Sequence, residues 1–312
     1  MAKRKTVTKQ PSTSYRLQKG EPLPLGLKRI ALEQVDRAIW QLTTPTNDVD
    51  NAVHDTRKCC KKTRAVLRLV RDEIGRDVYR RENALYRDAA RALSDLRSSA
   101  VMAETLDALC ERFADDLPAG AFATTRDGLM NKHRRALRAA VEEGKLLDAV
   151  AADLQAGRDR LAHLPLETED FSTLRLGLRR VYRRGRRAMF TSQAEPTTAN
   201  LHEWRKRVKY LRYQMRILNP LEPAIVGALA TDLDTLSDLL GLDHDLSELS
   251  VVVQTTPKLT ASKKEMRSLL ALIDRFRPEL QADAFALGGR IYEEKPRVFV
   301  DRFEGYWKDM VG

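Results

Sequence analysis

Apolar residues recur at three- and four-residue intervals through most of this chain, the repeat of one face of an α-helix. Stretches in which β-branched and polar residues alternate are nearly absent. Val251–Val253 is the one short strand candidate, and its setting reads as the end of a helix. Glycine and proline fall where helices should start or stop: Pro22 and Pro24, Pro45, Gly75, Pro118 and Gly120, Pro165, Pro196, Pro220 and Pro223, Pro257, Pro278 and Pro296. Gly288-Gly289, beside Arg290, reads as a helix break rather than a phosphate cradle. The pattern predicts an all-α protein of roughly eight to ten helices with short connections, packed as helix bundles.

The pattern also repeats. Val53-His54-Asp55-Thr56-Arg57-Lys58-Cys59-Cys60-Lys61-Lys62-Thr63-Arg64-Ala65-Val66-Leu67-Arg68 returns 148 positions later as Leu201-His202-Glu203-Trp204-Arg205-Lys206-Arg207-Val208-Lys209-Tyr210-Leu211-Arg212-Tyr213-Gln214-Met215-Arg216. Upstream, Leu25-Gly26-Leu27-Lys28-Arg29-Ile30 matches Leu176-Gly177-Leu178-Arg179-Arg180-Val181. Downstream, Leu93-Ser94-Asp95-Leu96-Arg97 falls against Leu240-Gly241-Leu242-Asp243-His244. Three anchors in one order at nearly constant offset define two copies of one helical unit. The expected division is a disordered basic tail over 1–20, a first repeat over about 21–165 and a second over about 166–312.

On a helix, His54, Arg57, Lys61, Arg64 and Arg68 project within an arc of about 80°. Val53, Thr56, Cys60, Thr63, Val66, Leu67 and Val70 gather opposite them, as a core face. The second copy repeats the division, with His202, Arg205, Lys209, Arg212 and Arg216 against Leu201, Trp204, Val208, Leu211, Met215 and Leu218. Each basic stripe is about 21 Å long and interleaves no acid. Like charges at this spacing cost a few tenths of a kcal/mol per pair on an isolated helix. A helix needing only solubility would mix in glutamates, whereas a bound polyanion would offset the repulsion, arginine gripping phosphate oxygens in forks and lysine adding point charges.

Other basic elements join these stripes. Lys58 and Lys206 adjoin them, and Arg175, Arg179, Arg183 and Arg186 or Arg187 lie at spacings near four in a segment with seven arginines and no acid. The first-repeat counterpart keeps Lys28 and Arg29 before Glu33 and Asp36. Lys132 and Arg135 belong to a further basic turn. Asp232, Asp234, Asp238, Asp243, Asp245 and Glu248 collect instead on a stretch without Lys or Arg, so charge is expected to separate by element and focus potential on one surface or channel. His54 and His202 read as phosphate hydrogen-bonding groups, with binding expected to strengthen as pH falls through neutrality. Asp243-His244-Asp245 reads as a helix-terminal hydrogen-bond network.

Composition changes this picture little. Charged residues make up 32% of the 312 residues and the net charge is +11, but residues 1–19 hold six basic side chains and no acid, leaving +5 for the rest. Net charge alone is therefore weak support, and the placement of the charges carries the reading. Cys59, Cys60 and Cys110 form neither a disulfide framework nor a CxxC pair, and the first two read as small helix residues. No metal-binding spacing, phosphate-binding glycine loop or nucleophile elbow occurs, so neither cofactor nor metal is expected. No apolar run nears the roughly 20 residues a membrane helix needs, and the basic start lacks an apolar signal core, so the expected location is cytoplasmic.

The Leu201–Tyr213 run closely resembles the signature of CHAD domains, the histidine-containing α-helical domains, and Val53–Lys58 resembles the partner motif. Tyr182-Arg183-Arg184-Gly185-Arg186, Leu240–Leu246 and Gly289–Pro296 resemble further family segments, so the likeness spans about residues 22–310. It implies two pseudo-symmetric four-helix bundles with a basic surface and a central groove or pore. It also implies non-catalytic binding of inorganic polyphosphate and association with polyphosphate granules. The implied binding set is Lys28, His54, Arg57, Lys58, Lys61, Arg64, Arg68, Lys132, Arg135, Arg179, Arg183, Arg186, His202, Arg205, Lys206, Lys209, Arg212 and Arg216. The chain departs from the family where the first repeat has Arg97-Ser98 in place of an Arg-Asp pair. Members often carry a fused triphosphate-tunnel domain, for which this chain has no room, so triphosphatase chemistry is not implied. The alternatives are nucleic-acid binding, disfavoured by 6% aromatic content, and a metal-dependent phosphohydrolase, which needs carboxylates close to the stripes.

Overall fold

The structure, a computed structural model, describes residues 13–44, 48–143 and 145–312. Among these residues it forms eleven α-helices and no strand: α1 (Leu23–Thr43), α2 (Val49–Leu69), α3 (Arg76–Ala92), α4 (Asp95–Arg112), α5 (Ala123–Glu143), α6 (Lys145–Ala162), α7 (Ser172–Ala194), α8 (Thr198–Leu218), α9 (Pro223–Thr255), α10 (Lys263–Ile291) and α11 (Pro296–Val311). The starts are made by local chemistry. Asp48 accepts the Asn51 amide at 2.9 Å to cap α2, and Thr197 and Ser262 cap α8 and α10 in the same way. Gly75, at φ +79°, supplies the turn into α3.

The all-α expectation holds, and Val251–Val253 lies in the last turns of α9. Three boundary expectations do not hold. One extra helix arises because α3 stops at Ala92 and α4 restarts at Asp95, a break that no proline or glycine announces. Pro278 sits inside α10, which continues because Ile273, Phe276 and Leu280 are all buried in the core on either side of it. Gly288 does not break α10 either. A methyl group there would meet the Trp204 ring at 2.5 Å, so the glycine makes room for the indole.

Helices α1, α2, α3 and α6 pack around one another, as do α7, α8, α9 and α10, with α11 laid on α7. A single core runs through both groups, from Leu27, Ile30 and Leu67 to Trp204, Leu211 and Phe303. The α4–α5 pair leaves the first group and joins α9 and α10. There Leu106, Phe113, Leu129, Leu249, Ile273 and Phe276 form a second core. At 33 residues α9 is about 50 Å long, enough to serve both cores.

The two sides of this frame close differently. Helix α7 lies directly on α2, where a methyl group at Gly177 would stand 1.9 Å from the Leu69 carbonyl oxygen. The matched Gly26 on α1 instead faces Leu17 and Glu21 of the preceding segment. That segment corrects the expectation of a tail through residue 20. Residues 1–12 lie outside the described residues, but Leu17 is buried and its amide donates to the Ile217 carbonyl at 3.0 Å. Tyr15 donates its hydroxyl proton to the Lys62 carbonyl at 2.9 Å.

Gly177→Ala is expected to force α7 off α2 at a backbone contact that no side-chain rotation can relieve, at a cost of about 3 kcal/mol. Thermal unfolding should show a Tm about 5 °C or more below the parent, with Gly26→Ala costing less because flexible side chains face it.

Candidate functional site

Packing of α2 on α8 brings the two basic stripes together. Every residue expected on their apolar faces is buried, from Val53 and Thr56 to Val70 on α2 and from Leu201 and Trp204 to Leu218 on α8. With those faces held in the core, the matched lysines Lys61 and Lys209 come within electrostatic reach of each other, together with Arg57, Arg64, Arg205 and Arg212. Desolvation first, then Arg57 and Arg205, pushes the Lys61 ammonium down to about 8. Desolvation, Arg205 and Lys61 hold Lys209 well below the ordinary lysine range. Gly241 on α9 leaves space beside the Arg205 guanidinium, whose Nε is buried without a hydrogen-bond partner.

One acid that reaches this cluster is Asp245, 3.6 Å from Arg205. Burial raises its pKa against the pull of Arg205, Lys209 and Lys61, and Glu104 raises it further. The position aligned with Asp245 in the first half of the sequence is Ser98, which carries no carboxylate. Asp243-His244-Asp245 is in the middle of α9, not at a helix end. Asp243 is buried and accepts from Arg277 at 3.0 Å and Gln281 at 2.8 Å, which anchors α10 to α9. His244 places its Nδ1 3.3 Å from Nδ1 of His202. Burial and then Arg205 push His244 down to about 3, while burial, Lys206 and Arg205 lower His202. His202 therefore does not gain charge just below neutrality, and the expected pH response moves to the lysines.

The stripes do not stay free of acid along their length. Arg212 and Arg216 both pair with Asp234 of α9, so one member of the acidic stretch returns to the stripe. Lys206 and Arg207 pair with Glu203. Arg64 donates to Asn83 at 3.2 Å, and Arg68 lies flat on the Tyr210 ring at 3.9 Å. His54 and Lys58 are exposed on α2, and Lys132 and Arg135 are exposed on α5, where neither is tied to the central cluster. Lys28 is half-buried on α1 and forms no ion pair among the described residues. Arg179 and Arg183 point outward from α7, and Arg186 donates to the Tyr292 carbonyl at 2.9 Å.

The α7 register is where sequence reading missed most. Gly177, Leu178, Val181 and Gly185 face inward, which turns Arg180 and Arg184 rather than Arg179 and Arg183 toward the end of the α2 stripe. They meet Arg68, Arg71, Arg207, Tyr79 and Tyr210 there. The signal was present in Gly177 and Gly185, which mark the face of close approach.

Two helices of matching sequence pattern, α2 and α8, whose lysines and arginines converge on each other define an all-α protein with a cationic seam. The CHAD domain family model matches residues 30–254, and the chain belongs to that family. No curated protein matches the chain at a significant level of similarity. Among the described residues, no helix is long and apolar enough to cross a membrane, and no group of three His, Cys, Asp or Glu side chains could hold a metal ion.

Lys61 generates a pH prediction. Its folded pKa lies below its unfolded value, so the unfolded chain binds more protons between about pH 8 and about pH 10.4, and the Lys61 contribution to stability rises with pH across that window. At pH 7 the full penalty is present. Lys61→Met should therefore be more stable than the parent by about 2 kcal/mol at pH 7, and the difference should shrink toward pH 10. Paired denaturant titrations over this range measure it, and a pH-independent difference would show that packing rather than charge is responsible.

Proposed function

We propose that the chain binds inorganic polyphosphate along the seam between α2 and α8 and does no chemistry on it. The observation that carries this reading is the meeting of Lys61 and Lys209, desolvated among Arg57, Arg64 and Arg205. Such a cluster is costly without an anion and is relieved by one whose charges recur along its length. In this reading the two repeats are pseudo-symmetric four-helix units, related by an approximate twofold axis near the two lysines, and the seam is the groove or pore between them. Membership of the CHAD family supports polyphosphate over other polyanions, and association with polyphosphate granules follows as the cellular role.

Nucleic acid is the weaker reading because the aromatic rings are already engaged. Trp204 is fully buried against Phe285, Tyr210 is covered by Arg68, and Tyr79 carries Arg71 at 4.7 Å. Bases would find no open stacking platform on them. A phosphohydrolase reading is weaker for another reason: the carboxylates nearest the stripes, Asp234 and Asp245, are taken up as counter-ions of arginines.

Lys61→Ala/Lys209→Ala is expected to weaken binding of long-chain polyphosphate at least about tenfold and to flatten its salt dependence by about one unit of slope, with helical content unchanged. Competition titrations complete the test. DNA or RNA that displaced polyphosphate at equal phosphate concentration would replace this reading with nucleic-acid binding. Release of orthophosphate on incubation with Mg²⁺ or Mn²⁺ would replace it with hydrolysis.

A further inference from the structure

The C-terminal end of the α2 stripe closes into a second cationic site. Arg68 of α2, Arg71 in the turn that follows it, Arg180 and Arg184 of α7 and Arg207 of α8 line one narrow cavity, with the Tyr79 and Tyr210 rings as walls. Two of the five guanidiniums are answered. Arg180 is held by Asp72 through hydrogen bonds of 2.8 and 2.7 Å, and Arg207 pairs with Glu203. Arg207 still keeps its Nε buried without a hydrogen-bond partner. Arg68 and Arg71 are fixed by stacking on Tyr210 and Tyr79 rather than by carboxylates. Arg184 has no carboxylate partner among the described residues, and desolvation together with Arg207, Arg180 and Arg71 lowers its pKa. Guanidiniums immobilised on ring faces present their N–H edges without further loss of freedom, the preparation that gripping a compact oxyanion requires.

The repeat supplies an internal control. By the 148-residue offset, Arg68 and Arg71 correspond to Arg216 and Asn219, and by the α1–α7 match Arg180 and Arg184 correspond to Arg29 and Glu33. At that matched end the cavity wall is made by Thr13, Ser14, Tyr15 and Arg16. Ser14 donates its amide to Glu33 at 2.7 Å, and Arg29 donates to the Ser14 and Arg16 carbonyls at 3.1 and 3.0 Å. One end of the seam is thus occupied by the protein's own backbone and carboxylates. The other sets five arginines around a narrow cavity, with no main-chain segment laid across them.

We propose that this five-arginine pocket binds a phosphate end group, a PO₃ unit with three free oxygens. A terminal phosphate carries more charge than an internal one and offers its oxygens over a wide arc, which suits forks arriving from three helices. The narrow walls between Tyr79 and Tyr210 suit a single such group better than a chain running through. The group is either the end of a polyphosphate chain or part of a small phosphorylated molecule. The pocket stands on its own residues whether or not the central seam carries polyphosphate.

Thermal shift and calorimetry on the full chain test this with two probes at equal phosphate concentration: pyrophosphate, which consists of two end groups, and cyclic trimetaphosphate, which has none. Pyrophosphate is expected to raise the Tm and trimetaphosphate to raise it much less. Arg184→Ala, which removes a crowded charge, should raise the ligand-free Tm while lowering pyrophosphate affinity at least about tenfold. Arg71→Ala should weaken pyrophosphate similarly, and Lys61→Ala/Lys209→Ala should leave it within about twofold. Equal responses to the two probes would overturn the proposal, as would loss of pyrophosphate binding in the lysine variant but not in the arginine variants. If pyrophosphate competes with polyphosphate the occupant is a chain end, and if the two bind together it is a separate phosphorylated molecule. Failure of long-chain polyphosphate to bind at all would sink the proposed function and leave this pocket to the pyrophosphate result.

Discussion

The arrangement depends on two lysines held where lysines repel. Lys61 and Lys209 occupy matching places on homologous helices, and the apolar faces of those helices leave them no other direction. Val53, Val66 and Leu67 on one side and Trp204, Val208 and Leu211 on the other are wholly buried, so turning either helix to relieve the charges would expose core side chains. Burying a large apolar side chain contributes about 1.5–3 kcal/mol, and several such residues on each helix outweigh the repulsion along one edge. The core thus pins the cations together, at a cost that a bound anion would relieve.

The frame around the lysines resists their separation. One core passes through both helix groups, and the α4–α5 pair completes a second core with α9 and α10. Helices α2 and α8 therefore cannot swing apart to dilute their charge. Asp243, buried and bonded to Arg277 and Gln281, ties α10 to the part of α9 that carries Asp245 and His244 into the seam. Gly241 and Gly288 make space for Arg205 and Trp204, the polar and apolar faces of one helix.

Much of this was legible in the sequence because helical periodicity is a local property. The opposed faces of α2 and α8 follow from residue spacing alone, and each residue assigned to an apolar face is buried. What was not legible depends on partners distant in the chain. Asp234 looked like part of a separate acidic stretch, yet α9 lays it across Arg212 and Arg216. Arg180 and Arg184 were passed over for Arg179 and Arg183, because the rotation of α7 is set by Gly177 meeting the Leu69 carbonyl, a contact between residues 108 positions apart. The break between Ala92 and Asp95 carries neither proline nor glycine. His202 looked like a charge waiting for its proton, but burial and the neighbouring Lys206 and Arg205 lower its pKa.

The segment from Ser14 to Leu17 also bears on the order in which the molecule can be assembled. The hydrogen bond from the Leu17 amide to the Ile217 carbonyl joins residues 200 positions apart, and Tyr15 packs edge-on against Tyr213. Neither contact can exist before α8 has been made. During synthesis this early stretch must wait, unsealed, while most of the chain emerges, so the side of the fold that begins first is completed late.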